Sequence, residues 1–446
     1  MIVYTSRWVV PVSSPSFEHG AVAVEHGRIA YVGPAAEAPA GERRELGEAA
    51  LMPGLVNAHS HLELTAMRGW LEDLPFRRWI IRLTKARQDV LTPDRRLASA
   101  RLGVAEGLLA GITTYADTAE SSVVHQALRD MGVRGVMYLE VFGPRSDQAE
   151  TALKTLGAQL AAVRACDTPL VRSGISPHAP YSVSDALFAG AAEMALAERL
   201  PIAVHAAESE AEQRLVTEAD GDFATALRAR GIDVAARGSS TIELLHRTGV
   251  LRARPLLVHC VRMAGEDLRR IVDSGATVVH CPASNAKLGH GIADLSAFLE
   301  AGIPVGLGSD SVASNNRMDI LDEARLALLL GRARTRSWVP FPATLGLDLA
   351  TRQGAKALGL DGETGSLEVG KAADLAAFPL DGVHAQPVQD PESALLFATS
   401  GRGAVLVTVA GEELVRNGQL VRGIADDLAI VRQAATDLKR FAMTVP

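Results

Sequence analysis

Between residues 50 and 357, short runs of apolar and β-branched residues alternate with longer stretches whose apolar positions recur every three to four residues. This is the pattern of strand and helix in turn. The strand-like runs fall at 51–57, 111–117, 133–141, 170–176, 201–205, 255–259, 276–280 and 304–308, with helical stretches such as 123–131, 184–198 and 319–330 between them. Eight such units predict an α/β chain folded as a (β/α)8 TIM-like barrel, in preference to an open doubly wound sheet. No G-x-G-x-x-G or G-x-x-x-x-G-K-[ST] follows any of the runs, which removes the usual dinucleotide and P-loop readings.

Both ends break this rhythm. Residues 1–34 read as short strands with turns at Glu18-His19-Gly20 and His26-Gly27, and 372–423 read likewise. The expected organisation is a small β-sandwich composed of 1–50 plus 371–425, a barrel over 51–370 and a helical tail over 426–446.

Composition narrows the class. The chain has 446 residues, 48% of them apolar, and carries 45 Lys+Arg against 52 Asp+Glu, a net charge of −7. That is an ordinary globular balance. With no basic run to track phosphates, it argues against nucleic acid and against an anionic membrane surface, and for a small-molecule substrate. No uncharged apolar stretch is long enough to span a bilayer, and Arg7 stands where a signal peptide would have its apolar core, so the expected location is cytoplasmic. Cys166, Cys260 and Cys281 are too few for a disulfide framework and lack C-x-x-C spacing.

The chemistry gathers at the predicted strand ends. His59 and His61 close the first run in Pro53-Gly-Leu-Val-Asn-Ala-His-Ser-His-Leu-Glu63, and residues two apart on an extended chain share a face. Both imidazoles can therefore reach one ion, which is favoured over the alternative that they only pair with polar neighbours at a strand end. In a parallel barrel, moreover, all strands open on one face. There His205 ends the fifth run, His259 the sixth and His280 the seventh, while Asp310 follows the eighth. Imidazoles with one carboxylate suit Zn2+, the default here, or Fe2+. Such an ion lowers the pKa of its water to about 7, and Asp310 can accept the proton.

Seven stretches together resemble the amidohydrolase superfamily, in its branch of cytosine, nucleobase and nucleoside deaminases and chlorohydrolases. They are Met52-Pro-Gly-Leu-Val-Asn-Ala-His-Ser-His61, Ser176-Pro-His-Ala-Pro-Tyr-Ser-Val-Ser184, His205-Ala-Ala-Glu208, His259-Cys-Val261, His280-Cys-Pro-Ala-Ser-Asn285, Gly308-Ser-Asp310 with Ala313-Ser-Asn-Asn316, and Gly365-Ser-Leu-Glu-Val-Gly-Lys-Ala-Ala-Asp374. The resemblance implies a barrel with a terminal β-sandwich and one divalent metal held by His59, His61, His205 and Asp310. It also implies that His259 contacts the reactive water or the metal, that Glu208 passes the water's proton to a ring nitrogen, and that members are often homodimers. Two-metal members use a carboxylated lysine on strand four, but 170–178 contains no lysine, so one metal is expected.

Hydrolytic deamination of an adenine nucleoside is the expected reaction. The segment around His178 resembles methylthioadenosine and adenosylhomocysteine deaminases, which makes His178 the first substrate-binding candidate. Two departures stand out: Gln88 occupies the place of a glutamate that holds the ribose diol in those enzymes, and Ser311 stands where many have glycine. His-Leu-Glu63 and Tyr138-Leu-Glu-Val-Phe-Gly-Pro144 are closer to deaminases of 6-amino-6-deoxyfutalosine. Glu63, Trp70, Asn285 and Ser311 are further substrate candidates, and Phe76 and Trp79 join Trp70 in an aromatic cluster. For Trp79, helix packing is the favoured reading. The same ligand set also supports s-triazine or halide hydrolysis and cyclic-amide hydrolysis, and at the far end a metal-free scaffold protein.

Overall fold

The computed structural model describes residues 1–399 and 403–442. Eight parallel strands alternate with helices in two four-stranded sheets. The first sheet holds Leu55–Ser60, Ile112–Ala119, Arg134–Val141 and Val171–Pro177, and the second Ala203–Ala206, Leu256–His259, Thr277–His280 and Val305–Leu307. Single parallel bridges span both seams, Ile175 to Ile202 on one side and Ser60 to Asp310 on the other. Alternation along each strand explains why both faces are apolar. Val56, Ala116, Val136, Ala203, Val258 and Val279 share one cluster drawn from both sheets. Their sequence neighbours Leu55, Met137, Leu257 and Val278 join the larger cluster that includes helix residues such as Leu128, Leu187 and Leu328.

The run at 51–57 is two strands rather than one. Ala49–Pro53 pairs antiparallel with Leu375–Pro379 and parallel with Ile2–Val9, whereas Leu55–Ser60 pairs with Ile112–Ala119. Gly54 marks the change. A Cβ there would stand 2.2 Å from the Thr113 side chain, so only glycine lets the chain pass. The terminal sheet therefore extends through Pro53 instead of stopping at residue 50. It has nine strands and draws on both ends of the chain, from Ile2–Val9 to Gln419–Leu420. Within it Glu18, His19 and Gly20 form no turn but lie inside strand Phe17–Glu25. Gly20 is required there by contact, since an added Cβ would come within 2.4 Å of Val9. His26 and Gly27 do form the next reversal, with Gly27 at φ +75°.

Arg134 ties the third parallel strand to this sheet through a buried two-point pair, Nε and Nη2 donating to Asp374 at 2.7 and 3.2 Å. The last helix, Ala425–Ala442, buries Val431, Ala434 and Leu438 in a cluster with Trp79 and Leu83. Residues 443–446 of the expected tail lie outside the described residues. Among the described residues, no helix is long and apolar enough to cross a membrane.

Candidate active site

Parallel strands open their C-terminal ends on one side, and the sequence places its histidines there. His59 and His61 meet Asp310 across the seam, with Asp310 Oδ1 3.4 Å from His59 Nε2 and 3.5 Å from His61 Nε2. The His59 ring lies 4.9 Å from those of His61 and His205 and 6.0 Å from that of His259. Two separate triplets, His59 with His205 and His259, and His59 with His61 and Asp310, each bring one ligand atom per residue within 4.8 Å.

Hydrogen bonds to the far side of each ring choose the tautomer. His61 Nδ1 donates to the Thr118 carbonyl at 3.0 Å, His205 Nδ1 to the His178 carbonyl at 3.0 Å and His259 Nδ1 to Asn285 Oδ1 at 2.9 Å. Each neutral ring then carries a bare Nε2. Among the described residues His59 Nε2 is buried with no hydrogen-bond partner, an orphan that a cation would satisfy. Two ligands on bonds of about 2.1 Å at a tetrahedral ion stand about 3.4 Å apart, close to the His–Asp310 spacings. The donor set fits a divalent metal. Glu140, His178 and His205 form another close triplet. Because His205 Nδ1 is already engaged, its single free nitrogen cannot serve a second ion as well.

Burial pushes all four imidazoles below their ordinary value, which favours the neutral, ligating form. Burial also pushes the Asp310 carboxyl up, but the surrounding imidazoles outweigh it and hold the group well below the usual carboxylate range. Its Oδ2 accepts from the hydroxyls of Ser284 and Ser314, which leaves Oδ1 to face the histidines. Non-glycine residues in the left-handed region cluster here: Ala207 at φ +53°, His259 at +77°, Cys260 at +47° and Asp310 at +54°. Each costs on the order of 1–3 kcal/mol, a concentration typical of functional sites.

Glu208 sits on the turn between strand Ala203–Ala206 and helix Glu210–Glu218. Ser209 caps that helix by accepting from Glu212 N. Buried Glu212 in turn accepts from the backbone N–H of Ala207 at 2.8 Å and of Glu208 at 3.1 Å, and from the Thr241 hydroxyl. Glu208 Oε1 lies 3.6 Å from His259 Nε2 and 3.4 Å from His290 Nε2. Burial pushes the Glu208 carboxyl up, and a hydrogen bond from His290 works against it. Truncating Glu212 would strand two buried N–H groups and a hydroxyl, each costing about 1–3 kcal/mol. Glu212→Ala is therefore expected to lose at least about 2 kcal/mol in urea unfolding of the metal-loaded protein. A loss below about 0.5 kcal/mol would show that the turn holds itself.

Above this floor lies a cavity of about 520 Å³, within the usual range for small-molecule sites. His61, His178, His205, Glu208, His259, Asp310 and Ser311 all line it, as do Phe76, Trp79 and Gln88 from the covering helix Phe76–Asp89. Glu63, Trp70 and Asn285 do not. Glu63 is buried behind the wall, taking a hydrogen bond from Ser121 and facing Arg87 at 3.9 Å. Trp70 donates its indole N–H to the Leu438 carbonyl and packs near Phe441 on the last helix. Asn285 stands behind His259. Ser311 reaches the cavity while its hydroxyl accepts from Ala313 N and caps a short helix. His280 is buried away from the cavity, and burial pushes its ring down to about 4.

The wall also holds Arg87, which no sequence pattern marks, and Glu140, marked only as part of the stretch from Tyr138 to Pro144. Arg87 pairs with Glu120, and Glu140 lies 3.9 Å from His178 Nε2 with its Oε1 unpartnered. Burial pushes Glu140 up to about 8. A carboxylate inside the apolar run of strand Arg134–Val141 was the available signal.

A model of the amidohydrolase family matches residues 50–420. A 5-methylthioadenosine/S-adenosylhomocysteine deaminase of Moorella thermoacetica is 31% identical over 92% of this chain and 93% of its own length. Among solved structures, a zinc-bound adenosine deaminase from Xanthomonas campestris superposes with a TM-score of 0.87 at 29% identity, covering 98% of both chains. An atrazine chlorohydrolase of Arthrobacter aurescens complexed with zinc gives 0.83 at 26% identity, covering 98% of this chain and 100% of that one. These likenesses establish a TIM-barrel-type α/β fold. Strand ends that gather four histidines and an aspartate beneath a loop glutamate thus have their explanation in descent: the chain belongs to the amidohydrolase family.

Proposed function

We propose that this chain is a metal-dependent aminohydrolase that replaces the amino group of an adenine nucleoside with oxygen, releasing ammonia. The observation that carries it is the Glu208 carboxylate 3.6 Å from His259, a ring grouped with the His59 and His205 donors, in the lining of a cavity large enough for a nucleoside. The names and full-length likeness of the relatives supply the substrate class, with methylthioadenosine and adenosylhomocysteine in view, and the stretches His-Leu-Glu63 and Tyr138 to Pro144 add 6-amino-6-deoxyfutalosine.

In this reading His59, His61, His205 and Asp310 hold one Zn2+. When bound, the ion supplies water acidified to a pKa of about 7. His259 Nε2, bare in the neutral ring, accepts a hydrogen bond from the attacking water and orients it. Water oxygen bonds to the amino-bearing ring carbon. Glu208 carries one of the water's protons to the adjacent ring nitrogen, and Asp310 takes the other, which departs with the amino group as ammonia. His178 and the aromatic wall of Phe76 and Trp79 hold the purine and its substituent. We also read the two sheets as one closed barrel, supported by a bridge at each seam, with the nine-stranded terminal sheet as a separate composite unit.

The test is release of ammonia, and of chloride where the compound carries it, by zinc-loaded protein across a panel of adenine nucleosides, with guanine, cytosine and s-triazines included. Turnover of an adenine nucleoside is the expected result. Turnover of a chloro-triazine alone would move the assignment to the chlorohydrolase side of the family, which the 26% identical neighbour represents.

A further inference from the structure

We infer that His290 is a positioning residue: its Nε2–H donates to Glu208 Oε1, leaving Oε2 as the oxygen that meets the substrate. The inference rests on the reading of Glu208 as the proton carrier. Two imidazoles approach Glu208 Oε1, His290 at 3.4 Å and His259 at 3.6 Å. Only one of them can donate in its neutral form. His259 has its N–H on Nδ1, committed to Asn285 Oδ1, so its Nε2 presents a lone pair to the carboxylate. Among the described residues His290 Nε2 is buried with no other partner, and a proton there meets the Glu208 carboxylate.

The loop is built to deliver this ring. Its backbone N–H donates to the Asn285 carbonyl at 2.9 Å, so Asn285 fixes His290 by its main chain and His259 by its side chain. Glycines at φ +72° and +111° on either side, Gly289 and Gly291, give the chain a bend that other residues would strain. Phe76 holds the ring edge-to-face, with centroids 4.5 Å apart and planes at 82°. Phe76 also lines the cavity. The helix that covers the substrate and the carboxylate that serves it are thereby joined through one imidazole.

His290→Phe keeps the ring volume and removes the donor, whereas His290→Gln keeps an N–H donor. A carboxylate free to rotate loses its aim, so His290→Phe is expected to lower kcat by about ten- to a hundredfold with KM nearly unchanged. His290→Gln is expected to recover most of that loss. A His290→Phe enzyme with wild-type kcat, or a His290→Gln enzyme equally impaired, would overturn the inference. A second readout needs no substrate: ¹⁵N-histidine NMR of the metal-loaded full chain should show a protonated Nε2 for His290, missing in His290→Phe and displaced in Glu208→Gln. A His290 signal with a bare Nε2 would likewise overturn it. Full turnover by Glu208→Gln would instead remove the reading of Glu208, and the NMR signature would still decide the contact.

Discussion

Glu208→Gln is expected to bind metal and fold as the wild type does, yet to lose turnover by at least about a hundredfold. The amide matches the carboxylate in shape, and the turn that carries it is held by Glu212 through backbone N–H groups, so nothing in the turn depends on the Glu208 charge. An amide cannot take a proton from water and return it to a ring nitrogen. The loss should fall on kcat, because the aromatic wall and His178, which the proposed function assigns to the substrate, are untouched. Metal content by elemental analysis and kcat by ammonia release check the two halves separately. A Glu208→Gln enzyme with wild-type turnover would remove the carboxylate from the reaction.

His205→Ala is expected to lose both metal and activity. His205 stands at the centre of the imidazole cluster, 4.9 Å from the His59 ring and 5.4 Å from the His61 ring, with its Nδ1 fixed by the His178 carbonyl. Removing a partner behind a ligand already costs about ten- to a hundredfold in metal affinity, and removing the ligand itself should exceed that. Metal binding stabilises the folded chain by mass action, so zinc should raise the Tm of the wild type and leave that of the variant nearly unmoved. Stoichiometric zinc retained by His205→Ala would take His205 out of the coordination set.

The sequence carried the site's floor because strand ends are legible. Short apolar and β-branched runs mark the strands, and an imidazole or carboxylate at the end of such a run stands out from it, as do His59, His61, His205, His259 and Asp310, which the structure places side by side. Two strands written as one apolar run were not separable, since what divides 51–57 is the Thr113 side chain crossing Gly54, a contact between residues far apart in sequence. Trp70 failed as a wall residue for a similar reason. Its partner is the Leu438 carbonyl, which local pattern cannot bring near. Glu63 and Asn285 lie close to the chemistry in sequence but turn to Arg87 and His259 instead, one step behind the cavity. His290 stands in Gly289-His-Gly291, a pattern that suits an active-site loop but names no partner. Its meaning came from the 3.4 Å approach to Glu208.

Turnover in ¹⁸O-labelled water by the zinc-loaded enzyme follows the oxygen and the nitrogen of the exchange at once. One ¹⁸O atom is expected in the purine product for each ammonia released, at the carbon that carried the amino group, with both signals lost together in Glu208→Gln. Ammonia released without label in the product, or label appearing without ammonia, would contradict hydrolytic deamination.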